Sequence, residues 1–189
     1  MNKLRDLTVL MSACNSSSMP GVYKSFKNNG EREIRVVGVD MCPDPSVRYI
    51  VDAFYQVPSV SDPQYVDIML DICKRENVDI YFPSISLEVT KLAERRQEFE
   101  EIGVKLSISN LDSVAVANNK LHTYQLLERS GLPVPKYYGV HNVDDFIEGC
   151  KYMGYPEKPV CIKIVNGSGS RGVRIIDASK SRYHIFAHE

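Results

Sequence analysis

Short β-branched runs alternate with amphipathic segments from the first residues to about residue 110, and this alternation constrains the fold more than any other feature of the chain. Leu7-Thr8-Val9-Leu10-Met11-Ser12-Ala13 is apolar at nearly every position, the pattern of a strand buried on both faces of a parallel sheet. A small-residue loop, Cys14 to Gly21, leads into a helix predicted over Val22 to Asn28 and closed by Asn29-Gly30; Ile34 to Asp40 then reads as the second strand. Strand, helix, strand is a βαβ unit. The pattern repeats with a short strand within Asp52 to Pro58, and a helix from Pro63 to Glu76 carrying Val66, Met69, Leu70 and Cys73 on one face. A strand from Asp79 to Pro83 follows, then a helix from Ser86 whose charged run Lys91 to Glu101 forms a solvated face, and a closing strand from Val104 to Ile108. The prediction is an α/β domain with a doubly wound parallel sheet.

Such a sheet binds a dinucleotide when its first loop is glycine-rich and an acid ends the second strand. Asp40 stands in that position, but CNSSSMPG offers one glycine, at its end. The phosphate half of that site is missing. Asp40 is therefore read as serving a local turn or a small substrate, with an NAD ribose contact as the alternative.

Composition removes several function classes. A net charge of -1 with 43% hydrophobic residues gives no electrostatic case for nucleic acid or an anionic membrane. No segment has the length and apolarity of a bilayer span, Met1 to Asp6 runs straight into a strand, and the expected location is cytoplasmic. The cysteines at 14, 42, 73, 150 and 161 are widely spaced with no C-x-x-C pair, so they are expected to be reduced and mostly buried, without a zinc site. His184 and His188 beside Glu189 lack the H-E-x-x-H order and read as a tail.

The domain boundary is placed at a connecting helix, Asp112 to Asn118, with the first domain ending at residue 112 and the second starting at 113. Asn119 caps a helix from Lys120 to about Ser130, with Leu121, Tyr124, Leu126 and Leu127 on its buried stripe and Gly131 ending it. Lys120 sits where the helix dipole disfavours a cation, and from position alone it reads as an exposed lysine. Pro133-Val134-Pro135 forces an extended link into Lys136 to Val140, and Asn142 caps a helix through about Met153.

The stretch Pro159 to Ile176, PVCIKIVNGSGSRGVRII, is a strand, a small-residue loop and a second strand. Strand alternation places Lys163 on one face with Cys161 and Val165. An ammonium among apolar neighbours is costly unless it meets an anion, and the loop amides can face the same anion. Gly167, Gly169 and Gly172 match G-x-G-x-x-G, but the dinucleotide version needs a helix next, and Val173 to Ile176 reads as strand. A P-loop would need Lys and Ser or Thr after the last glycine, and a kinase loop precedes its lysine. By itself the loop reads equally as a phosphate cradle or as a hairpin whose glycines relieve turn strain.

Taken together, NNKLHTYQLLERSGLPVPKYYGV followed by PVCIKIVNGSGSRGVRII resembles the first nucleotide-binding subdomain of the ATP-grasp superfamily. The preceding VDAFYQVP, DPQYVDIMLDICKRENVDIYFPS and LEVTKLAE resemble a pre-ATP-grasp domain of the carbamoyl-phosphate synthase large-subunit type. The resemblance implies a Rossmann-like domain over residues 1–112 and the N-terminal part of a small α+β ATP-grasp domain, incomplete, over 113–189. It assigns nucleotide contacts to Lys120 and Lys163 and phosphate cover to Gly167, Ser168, Gly169, Ser170, Arg171 and Gly172. Where many members read Asp-Lys, this chain has Asn119-Lys120, and Asn caps a helix as well as Asp does.

The activity implied is that of an ATP-dependent ligase or synthase. ATP would convert a carboxylate or bicarbonate to an acyl phosphate, which an amine or similar nucleophile attacks. Mg²⁺ is implied too, with its ligands, the adenine hinge and the catalytic groups expected beyond Glu189, so this chain is expected to be an N-terminal fragment, inactive alone. Partners implied are ATP and the small acid, with homo-oligomerisation left open. The rival is a non-catalytic nucleotide- or small-ligand-binding module; a Rossmann oxidoreductase is disfavoured by the first loop.

Overall fold

The computed structural model describes residues 4–167 and 169–180. Ser168, His184, His188 and Glu189 lie outside the described residues. The chain divides into two compact units, Met1–Ala115 and Val116–Glu189.

The first unit is built on a five-stranded sheet in the order β3-β2-β1-β4-β5, with every adjacent pair parallel. Its strands are β1 (Leu7–Met11), β2 (Ile34–Asp40), β3 (Ala53–Gln56), β4 (Ile80–Phe82) and β5 (Lys105–Leu106). Between them run α1 (Met19–Lys27), α2 (Tyr65–Arg75), α3 (Ser86–Glu94) and α4 (Arg96–Glu101), with α5 (Leu111–Ala117) after β5. The register pairs Val9 with Val36 and Leu10 with Val37, so successive residues feed opposite faces. Val9, Met11, Ile34 and Val36 join one cluster with Met19 of α1, while Leu10, Val37 and Val39 join the other with Tyr65, Met69, Leu92 and Phe99. Two apolar layers on one sheet are the physical meaning of the all-apolar first strand. At Gly38 a Cβ would come within 2.9 Å of the Cys14 sulfur and 3.2 Å of Val51, so glycine lets the chain after β1 pack directly on β2.

Three sequence expectations are corrected here. The helix predicted from Ser86 through Glu101 is two helices, broken at Arg95, whose φ of -110° and ψ of 21° leave the helical region. Arg95 spans the break with ion pairs to Asp67 at 2.6 Å and Glu98 at 2.5 Å. Strand β1 ends at Met11, because Ser12 turns its hydroxyl to Glu88 and Ala13 takes φ of 51°. The cysteines are free, but only Cys14 and Cys73 are buried; Cys161 is exposed.

The second unit comprises α6 (Lys120–Arg129), α7 (Val143–Met153) and the antiparallel pair β6 (Val160–Ile162) and β7 (Arg174–Ile176). Both helices begin as read from the sequence. The Asn119 side chain accepts the His122 N–H at 2.9 Å, and Asn142 accepts the Asp145 N–H at 2.9 Å. The buried stripe assigned to α6 holds for Leu121, Tyr124 and Leu127 only in part, since they are half-buried, and Leu126 is 52% exposed. No helix among the described residues is long and apolar enough to cross a membrane.

Candidate functional site

Capping by Asn119 fixes the start of α6 and so fixes Lys120 as its first residue. The Lys120 N–H donates to the Val165 carbonyl at 3.1 Å, and its ammonium donates to the Gly167 carbonyl at 2.7 Å. Both ends of one residue thus grip the segment that follows β6. Lys163 lies one residue past that strand rather than within it, because β6 pairs with β7 only from Val160 to Ile162. Its side chain is exposed, and it has no hydrogen-bond or ion-pair partner among the described residues.

Lys120 and Lys163 open onto one cavity of about 330 Å³. That is within the range of small-ligand pockets, roughly 300–1,000 Å³. A third cation, Lys136, lies on the same wall, and no carboxylate is among the described lining residues. Lys136 was missed by the motif reading. Its ammonium donates to the Tyr152 carbonyl at 2.5 Å and stands 4.0 Å from the Tyr152 ring centre. The rest of the wall is largely aromatic and aliphatic, with Tyr124, Tyr137, Tyr138 and Phe146. Cations beside aromatic surface suit a ligand with an anionic end and a flat apolar end.

Past Gly167, the chain takes positive φ at Gly169 (64°), Ser170 (59°) and Gly172 (76°); the two glycines adopt this region without strain, whereas Ser170 carries its Cβ into it. The Val173 N–H closes the turn on the Ser170 carbonyl at 3.2 Å. Arg171 is exposed. Ser168 lies outside the described residues.

In the first unit, the sheet order reverses between β1 and β4, and in open α/β sheets ligands bind outside the strand ends at such a point. Here those ends are joined by a buried carboxylate. Glu88, fully buried, accepts the hydroxyls of Ser12, Tyr65 (2.6 Å) and Tyr81 (2.6 Å), while Ser12 accepts the Ser84 N–H at 2.9 Å. Burial, and then the charge of Glu88, push the Tyr65 and Tyr81 hydroxyls well above their ordinary pKa, which keeps both as donors. The sequence offered one signal for Glu88, a carboxylate at the third position of a helix, but Ile85 in place of a capping Ser or Thr hides it. Asp40 is 8% exposed, and its two oxygens accept the Asn15 N–H at 2.8 Å and the Cys42 N–H at 2.9 Å. Both oxygens are engaged in holding the loops after β1 and β2.

Residues 9–107 match the family model described as "PylC-like, N-terminal domain". The chain belongs to this PylC-like family. The match covers the five-stranded unit, and it bears out the ATP-grasp kinship and the Rossmann-like pre-ATP-grasp fold expected from the motifs. Among curated relatives, a formate-dependent phosphoribosylglycinamide formyltransferase of Ignicoccus hospitalis is 25% identical over 161 residues, 78% of this chain and 37% of that protein. A carbamoyl-phosphate synthase of Methanobrevibacter smithii is 26% identical over 132 residues, 67% of this chain and 35% of that protein. The PylC-like chain therefore spans somewhat over a third of the length of these ATP-grasp relatives. Its fold matches the biotin carboxylase domain of a Hydrogenobacter thermophilus 2-oxoglutarate carboxylase, solved with MgADP and bicarbonate, at a TM-score of 0.65 and 17% identity, covering 91% of this chain and 38% of that one.

Proposed function

We propose that the second unit supplies one wall of an ATP site, and that the protein containing this chain is an ATP-dependent ligase. It activates a carboxylate or bicarbonate as an acyl phosphate for attack by an amine or similar nucleophile. The observation that carries the reading is the single cavity flanked by Lys120, Lys136 and Lys163 with no described carboxylate on its wall. A triphosphate is the biological ligand that matches such a charge pattern beside aromatic surface. The curated relatives are ligase-family enzymes, which supports the reaction class.

In this account Lys163, exposed and without a partner among the described residues, holds inner phosphate oxygens. The amides of Gly167, Gly169 and Gly172, with Arg171, cover the outer ones. Phosphoryl transfer is accelerated by positioning and by cations that spread the developing charge, so these groups need no proton chemistry of their own. Among the described residues no group of three His, Cys, Asp or Glu could hold a metal ion. The described residues thus supply no three-ligand cluster for Mg²⁺. Asp40 and Glu88 act in the first unit as structural carboxylates, each accepting hydrogen bonds on both oxygens.

The test is isothermal titration of Mg-ATP into the full-length protein, followed by a search for ATP-dependent hydroxamate formation when hydroxylamine is offered with candidate acids or bicarbonate. Binding together with hydroxamate supports the ligase. Binding without turnover on any acid would instead favour a nucleotide-sensing module, and no binding would remove both.

A further inference from the structure

Ile164 stands directly after Lys163 and belongs to none of the glycine or lysine positions that mark the loop. Its side chain is nonetheless the surface on which two loop glycines rest. A Cβ at Gly167 would lie 2.5 Å from Ile164 Cδ1 and 2.9 Å from Cγ1, and a Cβ at Gly172 would lie 3.1 Å from Cγ2 and 3.2 Å from Cδ1. At these distances Ile164 must shift to admit a side chain at 167. Gly172 is held more firmly still, since its φ of 76° also disfavours a Cβ.

The same segment is also held by Lys120. Its N–H and ammonium fix the carbonyls of Val165 and Gly167 at 3.1 Å and 2.7 Å. Ile164 is 47% exposed, so it contributes little to a core. What it does contact is the backbone at both ends of the loop.

We propose that Ile164 is a positioning residue for the phosphate loop: the side-chain volume at 164 spaces the peptide groups of Gly167 and Gly172, and through them sets the affinity for phosphate. The proposal rests on the nucleotide reading above. Trimming Ile164 leaves the loop without its filler, and the cost of ordering it is then met at binding. Adding a methyl group at 167 expels the same filler, so the two changes act on one contact and are not additive.

The experiment is a cycle of Ile164→Ala, Gly167→Ala and the double variant in the full-length protein, with Ile164→Val as the conservative control. Mg-ATP affinity is measured by titration, and exchange of the Gly167 and Gly172 amides is followed by NMR without nucleotide. Each single variant is expected to weaken binding about fivefold, with the double no weaker than the worse single. Ile164→Val should stay near wild type, and Ile164→Ala should speed exchange at both glycines. Additive losses, or an Ile164→Ala protein with wild-type affinity and exchange, would overturn the proposal. If the wild-type protein binds no nucleotide, the ATP reading fails by itself, and the exchange data still decide whether Ile164 shapes the loop.

Discussion

At the residue scale, Lys163 is the proposed contact to the inner phosphates, and Lys163→Met removes its charge while keeping a side chain of similar length. Loss of a charged contact made in the transition state costs about 2–4 kcal/mol, or tens to several hundredfold in kcat/KM for the ATP-dependent reaction of the full-length protein. Unchanged kcat/KM would make Lys163 a surface lysine. Glu88 carries structural weight of a different kind. Glu88→Ala removes the shared buried acceptor of the Tyr65, Tyr81 and Ser12 hydroxyls, and should destabilise the first unit by about 2–4 kcal/mol in urea unfolding. A loss under half a kcal/mol would show that the network is dispensable. Asp52 gives the acid limb of stability. Burial acts to raise its pKa, but the Lys27 ammonium at 2.6 Å and the Val36 N–H at 2.7 Å outweigh it, so its carboxyl sits below the usual range. A depressed folded pKa means that the contribution is present above the ordinary carboxylate pKa, near ~4, and is lost as pH falls through the folded value. Asp52→Asn should therefore flatten the fall in stability between neutral pH and about pH 3, and an unaltered pH profile would contradict this.

At the element scale, the cap of α6 is the point where local sequence places a site residue. Asn119→Ala should cost about 1 kcal/mol and shift Lys120 against the Gly167 carbonyl, whereas Asn119→Asp should be neutral in thermal unfolding. A cap-independent melting temperature would show that tertiary contacts alone fix α6. Caps and apolar strands were legible because they are local: Ile34 to Asp40 and the helix after Asn142 fall where the sequence put them. Other features depend on long-range contacts and were not. The break at Arg95 reflects its pairing with Asp67, 28 positions earlier, as well as with nearby Glu98. Leu126 was assigned to a buried stripe by spacing, yet α6 packs through Leu121, Tyr124 and Leu127 and leaves it in water. Lys136 and Ile164 have no assigned role in the motifs, and it is the folded chain that puts Lys136 on the cavity and Ile164 against two glycines of the loop.

At the scale of the whole molecule, the proposed nucleotide site draws on the second unit alone. In the five-stranded unit both oxygens of Asp40, the acid that ends β2, are taken up by the N–H groups of Asn15 and Cys42, so the unit should not bind NADH; a fluorescence change at micromolar cofactor would contradict that. The second unit is assigned the nucleotide. The most direct test of the phosphate site uses adenosine diphosphopyridoxal, whose aldehyde condenses with a lysine near the phosphate position and is fixed by borohydride. Peptide mapping of the full-length protein should find the label on Lys120 or Lys163, suppressed by excess Mg-ATP. Label confined to other lysines, or undiminished by Mg-ATP, would contradict the account.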